Sequence, residues 1–262
     1  MNTKTPLPLD IKLMNGVATA LFGGLLLLLL GALLAWVMRQ PVFAIRGVTV
    51  VGDVTHYNAM TLKANVMPRL QGTFFTLDVN AARQVFETMP WVRQAVVRRD
   101  FPNRLKVQLQ EHQAVAYWGV EGDARLVNSF GEVFEANLGE LEKEDLPRLS
   151  GPQGQSAQVL AMLQTLQPLV APIDVRIDQL ELTPRGGWRA QFDSGTALEL
   201  GGGSTQDVVA RVVRFVKTAT QATAQFKRTV EQIASVDLRH SDGYAIQLDG
   251  VSTLGDDMKN QH

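Results

Sequence analysis

The chain has 262 residues, of which 45% are hydrophobic, and its formal net charge is −1 at pH 7. This length and apolar content support one large domain or two of modest size, and the balanced charge gives no overall attraction to nucleic acid or to an anionic membrane. The sequence contains no cysteine, which excludes disulfides, thiolate nucleophiles and cysteine-based zinc sites.

The strongest signal is an uncharged, apolar stretch that runs from Leu13 to Met38. At about 1.5 Å per residue it can cross the roughly 30 Å hydrocarbon layer of a bilayer, and it is longer than the apolar core of a cleaved signal peptide. We predict an uncleaved transmembrane helix over residues 16–38, preceded by a tail of residues 1–15. Basic residues flank both ends in nearly equal number, so the positive-inside rule leaves the orientation open.

The segment after the apolar stretch predicts a small α+β module. The run "FAIRGVTVVGD" is rich in β-branched residues and ends at a turn signal. Two short helices follow, the first with Met60, Ala64 and Met67 on one face and the second capped by Asp78. The segment "WVRQAVVRRDFPNRLKVQLQE" predicts two more strands, and the period-two alternation in "LKVQLQ" is typical of a half-buried antiparallel strand. The order β-α-α-β-β fits one sheet covered by two helices.

The remaining sequence predicts a second, mainly antiparallel α+β domain. Short candidate strands are separated by Gly, Pro and Asp-Ser turns, and a helix through "STQDVVARVVRFVKTATQ" carries an apolar stripe. We place this domain at residues 113–249 and predict a disordered tail over residues 250–262. The stripe consists of Val208, Val212, Phe215 and Ala219.

Near the C-terminus, "VDLRHSDGYAIQLDG" places His240, Ser241 and Asp242 side by side, which are the residue types of a serine hydrolase. A hydrolytic triad is normally assembled from distant positions around a strained serine, and the sequence contains no GxSxG motif. Apolar residues instead alternate on both sides of "SDG", which predicts a β-hairpin closed by a tight Asp-Gly turn. The hairpin either lies at a sheet edge that can accept a strand from another chain or is used fully inside the sheet.

Other polar clusters do not indicate a site. The acidic loop "GELEKED" lacks the spacing of a calcium-binding loop, and the four histidines show no metal-binding motif. Five basic residues can form a partner contact or simply solubilise a strand face: Arg93, Arg98, Arg99, Arg104 and Lys106. We therefore predict no enzyme activity, no cofactor, no metal site, and neither nucleic acid nor a small-molecule substrate as a ligand.

The order and spacing of these segments resemble the FtsQ/DivIB family of bacterial cell division proteins. The matching segments are "IRGVTVVG", "FTLDVN", "PWVRQAVVRRDFPNRLKVQLQEH", "LPRLSGP" and "VDLRHSDGYAIQL", together with the apolar anchor. The resemblance implies a POTRA domain at residues 43–112. It also implies a single-pass type II protein of the inner membrane, with a cytoplasmic N-terminus and both folded domains in the periplasm at the division septum.

The same resemblance implies a function and partners. A member of this family is expected to act as a non-enzymatic divisome scaffold that recruits FtsB and FtsL, contacts FtsK and FtsN, and links early and late division proteins to control septal peptidoglycan synthesis. Because POTRA domains also occur in outer-membrane protein biogenesis and secretion, a component of those systems is the alternative. A strand of FtsB is expected to add at the last hairpin, where the corresponding residues are Arg239, His240, Asp242, Gly243, Tyr244 and Ile246.

Overall fold

The computed structural model describes residues 9–52, 54–57, 59–141, 145–240 and 243–248. The chain divides into two compact units between Glu111 and His112, and in the described residues both units are α+β, as predicted. The predicted tail of residues 250–262 and the hairpin residues Ser241 and Asp242 lie outside the described ranges.

The first helix, α1, covers Leu9–Met38. None of its most apolar part is buried within the protein, and its length and composition suffice to cross a membrane. A helix that is apolar on all sides has no polar face to turn toward water, so a bilayer is the environment that suits its surface. The helix therefore fits the anchor of a single-pass membrane protein.

The rest of the first unit has the predicted order β-α-α-β-β. Its central strand, β3, is antiparallel to β2 and parallel to β1. One face of the sheet is buried, because Leu105, Val107 and Leu109 of β3 are at most 3% exposed while the residues between them are exposed. The elements are β1 (Gly47–Val51), α2 (Ala59–Val66), α3 (Val79–Glu87), β2 (Val92–Asp100) and β3 (Arg104–Glu111).

Of the sequence predictions for the two helices of this unit, one is confirmed and one is wrong. Asp78 caps α3 as predicted, because its carboxylate accepts hydrogen bonds from the backbone N–H groups of Asn80 and Ala81. The face predicted for α2 is wrong, since Met60 is 82% exposed and the helix instead buries Leu62 and Val66. These two residues are also spaced four apart, so periodicity alone could not distinguish the two faces.

The second unit contains a nine-stranded sheet in the order β12-β11-β10-β9-β8-β7-β4-β5-β6. Five of the described pairings are antiparallel and three are parallel, so the sheet is mainly antiparallel, as predicted. The strands are β4 (Ala114–Trp118), β5 (Arg125–Asn128), β6 (Val133–Glu135), β7 (Arg148–Ser150), β8 (Ile177–Leu182), β9 (Trp188–Phe192), β10 (Ala197–Gly201), β11 (Ile233–Asp237) and β12 (Ala245–Leu248).

Two helices, α4 (Ser156–Val170) and α5 (Thr205–Ala224), share one hydrophobic core with this sheet. The α5 helix begins with a capping box, in which Ser204 and Asp207 satisfy each other's backbone N–H groups. The stripe predicted for α5 is confirmed, because each of its four members is at most 2% exposed. The helices thus cover one face of the sheet, and charged residues occupy the other.

We expect truncation of Phe215 in α5 to destabilise the second unit much more than truncation of Phe226, which follows the same helix. Phe215 is fully buried and Phe226 is 56% exposed, so Phe215→Ala should cost about 3–5 kcal/mol and Phe226→Ala about 0.5 kcal/mol or less. Hydrogen exchange of the β10 amides in the detergent-solubilised chain would measure both losses. Similar losses in the two variants would contradict the described core.

Candidate partner-binding edge of the second sheet

The strands β11 and β12 form the predicted hairpin, and β12 is the end strand of the sheet. Among the strands that the structure describes, β12 pairs only with β11. In an antiparallel ladder the backbone groups of successive residues point alternately to the two sides of the strand. Within the described residues, the outward N–H and C=O groups of β12 therefore have no strand partner, and such groups can pair with a strand from another chain.

The predicted tight Asp-Gly turn stays a prediction, because Ser241 and Asp242 lie outside the described residues. The described β11–β12 pairing runs from Ile233 opposite Leu248 to Asp237 opposite Ala245. After Asp237, the Leu238 N–H donates to the carbonyl of Glu199 in β10 at 2.9 Å, and the Leu238 side chain is 1% exposed. This hydrogen bond belongs to the parallel pairing of Asp237 with Glu199.

The side chains of β12 and its entry divide between two faces. Tyr244 and Ile246 are half-buried and pack on the hydrophobic core. The Tyr244 ring meets Phe215 of α5 edge to face at 5.5 Å, and its hydroxyl group hydrogen-bonds to Thr218. The alternate residues of β12, at 245 and 247, are exposed, so only one face of the strand is apolar.

The strand register places Ile246 at the end of an apolar row that crosses seven strands. Each member is paired with the next across the sheet, and all members except Ile246 are at most 8% exposed. The row ends at the open edge, where no described side chain continues it. Its members are Trp118, Leu149, Leu180, Ala190, Leu198, Val236 and Ile246.

A row of charges lies on the opposite face and also runs toward β12. The Arg189 Nε group donates to Glu199 at 3.0 Å, and Glu181 on the other neighbouring strand lies 3.9 Å from the same guanidinium. The next residue in the row, Asp237, accepts hydrogen bonds from the Arg239 guanidinium at 2.6 to 3.1 Å. This pair stands beside the free edge.

The side chains of Asp237 and Arg239 stabilise each other's ionised forms. The hydrogen bonds from the Arg239 side chain and backbone lower the pKa of Asp237 to about 2, and the same pairing raises the pKa of Arg239. Gly201 makes room for the pair: its φ is +78°, and a Cβ there would lie 3.1 Å from the Arg239 Cγ. Gly201 begins the segment "GGG", residues 201–203, which connects β10 to α5 and which the Arg239 side chain crosses closely.

The predicted site residues lie at different places around the edge. Arg239 and His240 are exposed where the chain leaves β11, Gly243 and Tyr244 lead into β12, and Ile246 lies within β12. Asp242 lies outside the described residues. Sequence reasoning missed Arg189 and Glu199, because alternation in "WRAQF" and "ALELG" indicates a polar face but not the register that brings the two charges together.

The other candidate clusters are only partly described, since residues 142–144 of the acidic loop lie outside the described ranges. Within the described residues no group of three or more His, Asp or Glu side chains could hold a metal ion. Two of the five basic residues have structural contacts, since Arg99 donates to the carbonyl of Leu77 at 2.6 Å and Arg93 to the side chain of Gln110 at 3.2 Å. Both interpretations of this basic group remain predictions.

Comparison with known proteins gives consistent matches along the chain. The family profile described as "POTRA domain, FtsQ-type" matches residues 43–112, and that described as "Cell division protein FtsQ/DivIB, C-terminal" matches residues 116–239. The cell division protein FtsQ of Thiomonas arsenitoxydans is 41% identical over 95% of this chain and 91% of the relative. FtsQ of Burkholderia pseudomallei is 38% identical over 96% and 98%, and that of Bordetella pertussis 32% identical over 91% and 92%.

We expect Arg239→Ala to raise the pKa of Asp237 from about 2 toward its ordinary 3.8, because the hydrogen bonds that stabilise the carboxylate are removed. The carboxyl carbon shift, followed by NMR against pH, would measure this change. The lowered pKa means that the wild-type carboxylate contributes to stability above about pH 3.8 and loses that contribution as the pH falls toward 2.

Asp207 is the internal control for this titration. Its pKa is lowered by hydrogen bonds from the Ser204 side chain and backbone, so it should not respond to a change at Arg239. An Asp237 midpoint that stays near 2 in Arg239→Ala would show that another group stabilises the carboxylate.

Proposed function

The chain belongs to the FtsQ/DivIB family of cell division proteins, and we propose that it is a non-enzymatic scaffold of the bacterial divisome. In this proposal α1 anchors it in the inner membrane with a cytoplasmic N-terminus. The POTRA domain at residues 43–112 and the second domain at residues 113–249 lie in the periplasm at the septum. The family membership favours this role over the alternative in outer-membrane biogenesis or secretion.

The observation that carries the proposal is the open edge of β12. Backbone groups at a sheet edge can bind an extended segment, while side-chain pockets on either face supply specificity. We propose that a strand of FtsB pairs with β12 and that FtsL is recruited together with it. Contacts with FtsK and FtsN would link early and late division proteins and so control septal peptidoglycan synthesis.

The two rows that end at β12 define the sequence that such a strand should have. A residue opposite Ile246 would extend the apolar row, and burial of a side chain of leucine size is worth about 1.5–3 kcal/mol. Its neighbours in the added strand would face the charged side of the sheet near Asp237 and Arg239. The partner strand should therefore alternate apolar and polar residues with a period of two.

The two edges of the nine-stranded sheet differ in a way that favours β12. The strand β6 at the other edge has three residues, one of which is the exposed Glu135. The strand β12 has the sequence AIQL, without charge or proline. Short length and charged residues are the usual protections of an edge against strand addition, so β6 is the better protected of the two.

We expect proline in β12 to abolish binding of an FtsB segment by the full chain in detergent. Successive residues direct their N–H groups to opposite sides, so of Ile246→Pro and Gln247→Pro one removes an outward N–H and the other disrupts the hairpin. The variant that keeps the wild-type circular dichroism and melting temperature should bind at least about tenfold more weakly, which is 1.4 kcal/mol.

The matched control is Glu135→Pro on the opposite edge, which should bind the segment as the wild type does. Hydrogen exchange gives a second readout, because alternate amides of β12 should become protected when the segment binds. A folded β12 proline variant with undiminished binding would exclude this edge as the site. Tyr244→Pro is a less clear test, since it would also disturb the contact of Tyr244 with Phe215.

A further inference from the structure

A group of aromatic side chains surrounds the point where α1 leads into the first folded domain. The rings of Phe43 and Phe75 meet edge to face at 5.0 Å, and Phe74 contacts Phe75 at 5.2 Å and Phe101 at 5.9 Å. Phe74 is buried, but Phe75 is 42% exposed, Phe101 is 74% exposed and the nearby Val42 is 62% exposed. We call Val42, Phe43, Phe75 and Phe101 the juxtamembrane patch.

Hydrogen bonds hold this patch against the end of α1. The Thr73 hydroxyl group donates to the carbonyl of Met38, the last residue of the helix, at 2.7 Å. The Phe74 N–H donates to the Phe43 carbonyl at 2.8 Å, and Ala44 and Thr73 form an isolated antiparallel bridge. The linker is therefore tied to the folded domain directly after the helix ends, and the patch stays beside that end.

Basic residues flank the patch. Arg39 follows α1 directly and is exposed, as are Arg46 and Arg104. The Arg46 N–H donates to the carbonyl of Asn103 at 2.9 Å, which brings the start of β1 to the loop that carries Phe101. Exposed apolar rings surrounded by cationic side chains suit the boundary between acyl chains and anionic headgroups.

We propose that the juxtamembrane patch inserts into the lipid interface of the membrane that α1 spans. If α1 crosses the bilayer, its last residue, Met38, lies at the bilayer surface. Thr73 is hydrogen-bonded to the Met38 carbonyl, and its neighbour Phe74 is bonded to Phe43 of the patch, so the patch lies close to that surface. Phe side chains are among those that an interfacial apolar face buries about 5–10 Å into the boundary between headgroups and acyl chains. The domain would thus have two membrane contacts, which fix its height and restrict its rotation about α1.

The absence of native cysteine permits a direct test in the full chain. Asn103→Cys, labelled with an environment-sensitive fluorophore, places a probe next to Phe101, and Gln110→Cys places one at the opposite end of the β2–β3 hairpin, about 20 Å away along β3. The protein is reconstituted in vesicles of phosphatidylethanolamine and phosphatidylglycerol that contain a headgroup-level spin-labelled lipid. We expect the probe at 103 to be quenched several-fold more than the probe at 110.

A double substitution, Phe75→Ser with Phe101→Ser, tests the side chains themselves. Phe101 is 74% exposed and Phe75 is 42% exposed, so the domain should stay folded with at most a small fall in melting temperature, while quenching at 103 falls to the level at 110. Equal quenching at the two positions in the wild type, or quenching unaffected by the double substitution, would overturn the proposal. Quenching at 103 that is weak in concentrated samples and rises when the protein is diluted in lipid would assign the patch to a contact with a second copy of the chain instead.

Discussion

The second domain depends on an apolar row that crosses its sheet from Trp118 to Ile246. Strand register sets this row, since a slip of one residue would turn a strand's apolar side chains to the charged face. The helices α4 and α5 cover the row and exclude water from it. Burial on one face only leaves the other face free to carry the charges of Glu181, Arg189 and Glu199, which pair across neighbouring strands.

The end strand of the sheet is β12, and the last side chain of the apolar row lies on this strand and is not fully buried. Ile246 is half-buried, so a further strand would complete both its burial and the backbone pairing of β12. The feature that limits the stability of the domain alone is therefore the feature that suits it to a partner. Strand addition at an edge of this kind relies on backbone groups and needs no reactive side chain.

Local signals in the sequence predicted individual helices and strands well, but they predicted the packing between them poorly. The anchor, the Asp78 cap, the α5 stripe and the alternation in β3 follow from short-range periodicity and capping, so they could be predicted. The face of α2 could not, because Met60 and Leu62 both belong to plausible apolar spacings and only packing selects between them. The order of the strands could not be predicted either, because the pairing of β11 with β10 joins segments that are distant in sequence.

The contacts at the β12 edge also could not be predicted from local sequence signals. The pairing of Asp237 with Arg239 spans two residues in sequence, but Gly201 must give it space and Glu199 must bind Leu238, and neither requirement is visible locally. Because the pairing lowers the pKa of Asp237 to about 2 and raises that of Arg239, both groups stay charged across the physiological range. A strand that pairs with β12 therefore meets this pair in its ionised form near neutral pH, and titration of the pair would not control the proposed binding.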